Sequence, residues 1–330
     1  MRRALELAQR PGVPLGPNPR VGCVLLAPDG SIVAEGFHRG AGTKHAEADA
    51  LVNAGDAARG TTAVVTLEPC NHTGRTGPCA RALIDSGVAR VVYAQSDPNP
   101  LAQGGADTLR GAGIDVHGGL LADEAKRVNR AWTFAMEHQR PFVTWKFATT
   151  LDGRSAALDG TSRWVSNAAA RRDTHRLRGE CDAILVGTQT VIDDDPHLTV
   201  RDELDEPLQR DRQPLRVVMG LREIPPASHV LDDAAATAVL HTRDPKEVLT
   251  ELFRLDRQHL FLEGGPTVAA AFVKDGLVDE VVAYVAPLLL GAGRSAVADL
   301  GITTMTEALQ LQVHDVTVLG DNVRITMGRN

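Results

Sequence analysis

The stretch TKHAEADALVNAG, residues 43–55, followed by TLEPCNHTGRTGPCARAL, residues 66–83, sets a histidine, a glutamate two positions later and two cysteines into one short region. HAEADALVNAG carries Ala46, Ala50, Leu51 and Ala54 at helical spacing and stops at Gly55. TTAVVTL reads as a buried strand, and PCARALIDSG as a helix with Pro78 near its first turn and Gly87 beyond its end. His45 and Glu47 thus stand at the start of a helix, Cys70 ends a strand and Cys79 opens the next helix. A thiol in a first turn gains from unpaired N–H groups and the helix dipole, which favour the thiolate that zinc requires. One imidazole and two thiolates leave a fourth position for water, the pattern of a catalytic zinc site, where the pKa of bound water falls to about 7. Glu47 is then placed to carry a proton from water to a leaving amine. Base deaminases show H-x-E followed by P-C-x-x-C; here eight residues, 71–78, separate the cysteines instead of two.

Outward from this region the chain alternates strands and helices. RVGCVLLAPDGSIVAEGFHRG holds two β-rich runs about PDG, a hairpin over residues 20–37. ARVVYAQ is a strand, GADTLRGAG a helix and IDVHGG a strand, so the order β-β-α-β-α-β-α-β predicts a three-layer α/β sandwich. LADEAKRVNRAWTFAMEHQRP reads as one charged helix closing a first domain, 1–140. In 141–330 the strands are PFVTWKFATTLDG, CDAILVG, LRVVMG, ATAVLHT, HLFLEGG and VDEVVAYVAPLLLG. The helices are NAAARRDTHRLRG, DPKEVLTELFRL and PTVAAAFVKDG, and LQLQVHDVTVLGDNVRITMG forms a terminal hairpin. Parallel crossovers with antiparallel ends define a second α/β domain. DELDEPLQRDRQ, 202–213, reads as a polar surface loop.

The bulk properties agree and narrow the function. A chain of 330 residues favours two domains. Residues 1–140 carry 15 Lys and Arg against 14 Asp and Glu, and the remainder 20 against 28, for a net charge of −7. Neither half has the basic field of a nucleic-acid binder. No apolar run approaches the roughly 20 residues that span a bilayer. MRRALELAQRPGVPLG has no long apolar segment of a signal peptide and reads as a short helix ending before Pro11 and Gly12. Four cysteines in so long a chain form no disulfide framework, so a reducing cytoplasm is expected, with Cys23 and Cys181 as buried packing.

A second site gathers in 141–330, which lacks G-x-G-x-x-G. HLFLEGGPTVAAAFVKDG sets a strand, two glycines and a helix opening at Pro266, a geometry that binds phosphate on exposed N–H groups but also arises for steric reasons. VGTQTVIDDDPHLTVR packs three aspartates before a proline, either a solvated acidic loop or a carboxylate with a task. TWKFATTLDGRSA brings Lys146 near a Thr-rich turn, and GTSRWVS offers Ser162 and Trp164; the plainer readings are a surface lysine and a core indole. His72 reads equally as an exposed loop residue or a substrate contact.

The first half, through PNPRVGCVLL, HAEADAL, TLEPCNHTGRTGPC, ALIDSGVARVV and DPNP...GGADTLRGAGIDV, resembles the pyrimidine deaminase domain of bifunctional riboflavin-biosynthesis proteins, in which the long Cys–Cys loop is usual. The resemblance implies a cytidine-deaminase-like fold, zinc held by His45, Cys70 and Cys79, Glu47 as proton shuttle, and Asn18, His72 and Arg75 against the pyrimidine and its ribose phosphate. Asn71, Arg75 and Gly77 stand where that family often has serine, lysine and proline. Residues 141–330, apart from the poorly matching 202–230, resemble the same family's reductase domain, with a dihydrofolate-reductase-like fold and NADPH as cofactor. By that resemblance Thr149 or its neighbour Ala148, Trp164, Thr190, Asp194, Gly265, Pro266, Thr267, Val268, Ala269, Ala270 and Ala271 line the dinucleotide. Ser162, Arg178, Leu198, Arg201 and Glu263 meet the substrate, the arginines pairing with its 5-phosphate. Lys146 and Asp194 support protonation as the ribose ring opens, and the reductase domain makes a homo-oligomer.

Two rivals make different demands. A tRNA adenosine deaminase with an unrelated C-terminal domain requires a basic face and the P-C-x-x-C spacing. A zinc-structured, non-catalytic regulatory protein requires a fourth protein ligand, which His72 or Glu68 would have to supply.

Overall fold

The computed structural model describes residues 1–11, 16–72, 77–202 and 204–329. The chain divides into two compact units, Met1–Gln139 and Arg140–Asn330.

The first unit opens with α1 (Arg2–Ala8), then the antiparallel hairpin β1 (Gly22–Leu26) and β2 (Ile32–Phe37). Next come α2 (Ala46–Ala54), β3 (Thr62–Leu67), α3 (Cys79–Asp85), β4 (Arg90–Gln95), α4 (Gly105–Gly111) and β5 (Asp115–Gly118). The sheet order is β2-β1-β3-β4-β5, with β1 antiparallel to β3 and the last three strands parallel. Ala46 and Ala50 of α2, Ala80 and Leu83 of α3 and Leu109 of α4 pack with Cys23, Leu25, Val65 and Val91 into one core. Small patches from α1 and α5 cover the opposite face, around Val24 and Ala94.

Close backbone approach sets the height of α2. A Cβ on Gly36 would lie 2.3 Å from both the Ala46 oxygen and the Ala50 nitrogen, so only glycine lets this helix rest directly on β2. A Cβ on Gly105 would likewise lie 1.7 Å from the Pro69 oxygen, which brings the start of α4 against the turn leading to Cys70.

The segment read as one charged helix is two, α5 (Ala122–Val128) and α6 (Arg130–His138). Between them Asn129 leaves helical geometry (φ −111°, ψ 25°). Its buried amide accepts from the Arg20 N–H and donates to the Arg20 carbonyl, both at 2.8 Å. Those two long-range bonds select the break, and local periodicity carries no sign of them.

The second unit contains β6 (Phe142–Thr150), β7 (Arg154–Ala156), α7 (Ala168–Arg178), β8 (Ala183–Gly187), α8 (Thr188–Asp194), β9 (Leu215–Met219) and β10 (Thr237–Leu240). It continues with α9 (Pro245–Arg254), β11 (His259–Leu262), α10 (Pro266–Lys274), β12 (Glu280–Ala286), β13 (Arg294–Ser295), β14 (Gln312–Leu319) and β15 (Asn322–Gly328). The main sheet runs β10-β9-β8-β11-β6-β12-β15-β14, parallel through β12 and antiparallel beyond it. Covered on both faces, β8 is a continuous apolar run, and β9 and β11 are equally buried but carry Arg216 and His259. Asn167 caps α7 by accepting from the Ala170 N–H, and Asp244 caps α9 by accepting from the Lys246 N–H, both at 2.8 Å.

Two plain readings of this half are corrected. Trp164, read as a core indole, is 64% exposed. Lys146, read as a surface lysine, is partly buried on a central strand.

Candidate active sites

In the first unit, β3 and the N-termini of α2 and α3 converge. His45 is the N-cap residue of α2, in extended geometry (φ −66°, ψ 160°), with Glu47 in the first turn. Cys79 opens α3. Cys70, expected to end a strand, lies three residues past Leu67, in the turn after Pro69. His45 Nδ1 is 3.5 Å from Cys70 Sγ and 3.3 Å from Cys79 Sγ. All three ligand atoms lie within 4.8 Å of one another. Tetrahedral zinc with ordinary Zn–S and Zn–N bonds sets neighbouring ligand atoms about 3.5 Å apart, so these residues fit that ion in both donor type and spacing.

The Cys79 N–H, the first of α3, donates to Cys70 Sγ at 3.4 Å. The helix terminus therefore stabilises the neighbouring sulfur as well. Bonding from Cys79 and from His45 lowers the Cys70 thiol against the opposing effect of burial. Hydrogen bonding to Cys70 raises the His45 imidazole against burial. Glu47 is 4% exposed; burial first, and the Cys70 charge second, push its carboxyl up to about 7.

Among the described residues no fourth protein ligand joins the three. Glu68 is committed elsewhere, accepting from the Ala106 N–H of α4 at 3.1 Å and the Asp97 N–H at 3.4 Å. His72 is exposed. The demand of the structural-zinc rival is not met.

Asn18 lies beside a residue the sequence reading passed over. His38, buried at the end of the hairpin, places Nδ1 2.9 Å from the Lys44 carbonyl and Nε2 3.0 Å from Asn18 Nδ2. The carbonyl can only accept, so Nδ1 carries the proton and Nε2 receives the Asn18 amide. The His38 ring also meets the His45 ring edge-on, 5.4 Å between centroids. The signal was GFH at the end of β2, whose importance depends on where the hairpin folds back. Arg75 lies outside the described residues.

In the second unit Arg178, at the end of α7, grips Glu263 just beyond β11 through Nε and Nη2, at 2.5 and 3.0 Å. Its Nη1 donates to the Thr199 carbonyl at 3.0 Å, next to buried Leu198, whose backbone has φ 50°. Burial raises the Glu263 carboxyl, but the charge and bonds of Arg178, then Lys146, outweigh it and hold it below its ordinary value. Burial lowers the Lys146 ammonium, opposed by Glu263. Lys146, Arg178, Glu263 and Leu198 are thus brought together. Arg201 is bound locally, donating to the Asp205 carbonyl at 2.7 Å.

The acidic run ends a helix that the sequence reading missed, α8. Asp193 accepts from Gln189, and Asp195 accepts from the His229 N–H at 2.8 Å. Asp194 is exposed, with its carbonyl accepting from Arg163 at 3.0 Å. Among the described residues no hydrogen bond or ion pair joins its carboxylate to Lys146. Ser162 is also exposed, and the Arg171 guanidinium lies 4.4 Å from the Trp164 ring centroid.

Gly265 caps α10 with no side-chain cap and no acidic residue in the first turn, which leaves N–H groups for an anion. A Cβ on Gly264 would lie 2.9 Å from Val268, and one on Gly187 2.8 Å from the same side chain, so both glycines serve close packing. Thr190 borders Gly265, whose own Cβ position stays open to 3.9 Å. Of the following residues Thr267 is exposed, Pro266, Val268 and Ala271 are partly exposed, and Ala269 and Ala270 are buried. Ala148 is partly buried and Thr149 buried on β6. The open, uncapped start of α10 fits the phosphates of NADPH.

Fold and site together define a zinc-binding deaminase unit joined to a reductase unit. Residues 1–95 match the cytidine and deoxycytidylate deaminase zinc-binding region, and residues 141–325 match the RibD C-terminal domain. The chain belongs to the RibD family, the bifunctional deaminase and reductase of riboflavin biosynthesis, with zinc and NADPH as cofactors. It is 48% identical to riboflavin biosynthesis protein RibD of Mycobacterium tuberculosis H37Rv over 94% of this chain and 91% of that one. Against the Escherichia coli K12 protein the identity is 41%, over 98% and 96%. The solved structure of Acinetobacter baumannii RibD, form 1, superposes with a TM-score of 0.92 at 37% identity, covering 100% of this chain and 97% of that one. A Thermotoga maritima structure described as a diaminohydroxyphosphoribosylaminopyrimidine deaminase/5-amino-6-(5-phosphoribosylamino)uracil reductase gives 0.90 at 31%, over 100% and 97%. The tRNA deaminase rival falls with this family assignment.

Proposed function

We propose that residues 1–140 hydrolytically deaminate 2,5-diamino-6-(5-phosphoribosylamino)pyrimidin-4(3H)-one and that residues 141–330 reduce the ribosyl chain of the product to ribityl. The observation that carries this reading is the imidazole and two sulfurs at 3.3 and 3.5 Å beside a buried Glu47. The description of the Thermotoga relative supports the substrate.

His45, Cys70 and Cys79 hold the zinc, which when bound supplies nucleophilic water at neutral pH. Glu47 holds a proton near neutrality and delivers it to the leaving amine, a role its raised carboxyl suits. Asn18, oriented by His38, with His72 and Arg75, binds the pyrimidine and its phosphoribosyl arm. In the second unit the start of α10, with Ala148 or Thr149, Trp164, Thr190 and Asp194, seats the dinucleotide. NADPH supplies the hydride that reaches C1 of the sugar. Ser162, Leu198 and Glu263 position the substrate, and Arg178 and Arg201 pair with its phosphate. Lys146 and Asp194 are the proton-bearing groups for the ring oxygen as the C1–O bond opens.

The protein works in the cytoplasm as a homo-oligomer built through the second unit. Supporting the latter, Val313, Val316 and Val318 are exposed on the edge strand β14. Among the described residues no helix is long and apolar enough to cross a membrane.

The test couples ammonia release from the pyrimidine substrate to NADPH consumption, with and without a chelator. Full removal of metal should abolish ammonia release, whereas Glu47→Gln should retain zinc and lose at least about 100-fold in deamination, the size of a general acid–base contribution. Ammonia release that survives metal removal would overturn the assignment.

A further inference from the structure

Beside Lys146 stands a buried arrangement outside the groups assigned to the reduction. Tyr284, 1% exposed, lies on β12, the parallel neighbour of β6. The register sets Val282 beside Lys146 and Tyr284 beside Ala148. Residues two apart in a strand share a face, so the phenol ring and the lysine chain rise from the same side of the sheet. The Lys146 ammonium lies 5.7 Å from the ring centroid.

The ring is locked from behind. Its hydroxyl donates to Asp173 Oδ2 on α7 at 2.8 Å. Arg324 Nη1 donates to both oxygens of the same carboxylate, at 2.8 and 3.1 Å, and Arg176 Nε donates to it at 2.9 Å. Arg324 is held in turn by Asp315 and Thr317, both at 2.9 Å. Turning the ring would break a buried charge-assisted bond, which costs more than an ordinary one.

The charges facing Lys146 explain what such a ring contributes. Glu263, beyond β11, attracts the ammonium but is already forked onto Arg178, and Arg178 on α7 repels it. His175, one turn earlier on α7, faces that same ion pair. Asp173 and Arg324 neutralise each other behind the ring. With Glu263 shared, a buried ammonium gains from the negative face of an aromatic ring.

We propose that Tyr284 is a positioning residue of the reductase site, its ring holding Lys146 in the charged form beside Glu263 and against the repulsion of Arg178. This rests on the reading that Lys146 serves the reduction. The test measures kcat/KM for reduction against pH in the full-length protein, supplied with the deaminated intermediate and NADPH. Tyr284→Phe keeps the ring and loses the hydroxyl, whereas Tyr284→Leu loses the ring. Tyr284→Leu should move the alkaline limb down by about half a pH unit and leave KM for NADPH within about twofold. Tyr284→Phe should keep the parental limb and lower the melting temperature by a few degrees, about the loss of one buried hydrogen bond. If Tyr284→Leu does not fold, Tyr284→Met takes its place with the same expected limb. A leucine or methionine profile that superimposes on the parent overturns the inference, as does a phenylalanine variant whose limb moves as far. Lys146→Met separates the two readings: retained reduction there sinks the role of Lys146 itself, while loss of reduction together with an unmoved limb sinks only the role of Tyr284.

Discussion

Asp182 stands just ahead of β8 with both carboxylate oxygens taken by backbone donors, the Gln258 N–H at 2.8 Å and the His259 N–H at 3.0 Å. Burial pushes its carboxyl up to about 6, against the opposing pull of those two donors. A folded value above the unfolded one, about 3.9, means the folded chain binds the proton more tightly. The stabilisation is fully present below about pH 4 and is lost as pH rises through about 6, amounting to about 3 kcal/mol by the shift. Asp182→Asn should therefore flatten the dependence of stability on pH across that window, measured by urea denaturation at closely spaced pH values. Equal slopes in variant and parent would refute it. At this scale the metal site was the most legible part of the chain, because chemically rare residue types announce themselves: His45, Glu47, Cys70 and Cys79 sit in two short motifs. Tyr284 was not legible, since its meaning depends on Asp173, 111 positions away, and on a lysine on the neighbouring strand. His38 was missed for a related reason: its partner Asn18 meets it only after the hairpin closes.

Elements were read well where their period was long and their ends chemically marked. Asn167, Asp244 and Pro266 each signalled a helix start, and those helices follow. Helix α8 escaped because its seven residues, TQTVIDD, mix β-branched residues with an acidic tail, poor local helix material that packing of Val191 overrides. The opposite error, fusing α5 with α6, came from periodicity that continues while Asn129 is drawn out to Arg20. The element with the clearest unspent surface is β14. Among the described residues it pairs on one side, with β15, and Val313, Val316 and Val318 are 55%, 58% and 72% exposed. An edge strand of eight residues with three exposed valines offers a surface for pairing, although it also carries Asp315 and His314. Replacing Val316 and Val318 together by glutamate should lower the mass seen by light scattering to that of the monomer while each activity persists. An unchanged mass would exclude β14 as the assembly surface.

Across the whole molecule the residues proposed for the two chemistries form separate sets. The proposed zinc ligands and Glu47 lie in Met1–Gln139, and Lys146, Arg178, Glu263 and the start of α10 lie in Arg140–Asn330. The charge balance reinforces the division, since the acidic second half gives no general attraction for a phosphorylated substrate and must rely on placed arginines. If each unit carries its reaction alone, damage in one can be made good by an intact copy elsewhere. Glu47→Gln should release ammonia at least about 100-fold more slowly yet consume NADPH at the parental rate when the deaminated intermediate is supplied. Lys146→Met should release ammonia normally and leave NADPH untouched. Mixed in equal amounts with the pyrimidine substrate, the two variants should restore NADPH consumption. The trace should begin with a lag that shortens in proportion to protein concentration, because the intermediate must build up in solution before the second copy captures it. A mixture that stays silent, with each variant active in its own half-assay, would mean that the deaminase unit does not release the intermediate to solvent, and the independence of the two sites would fall.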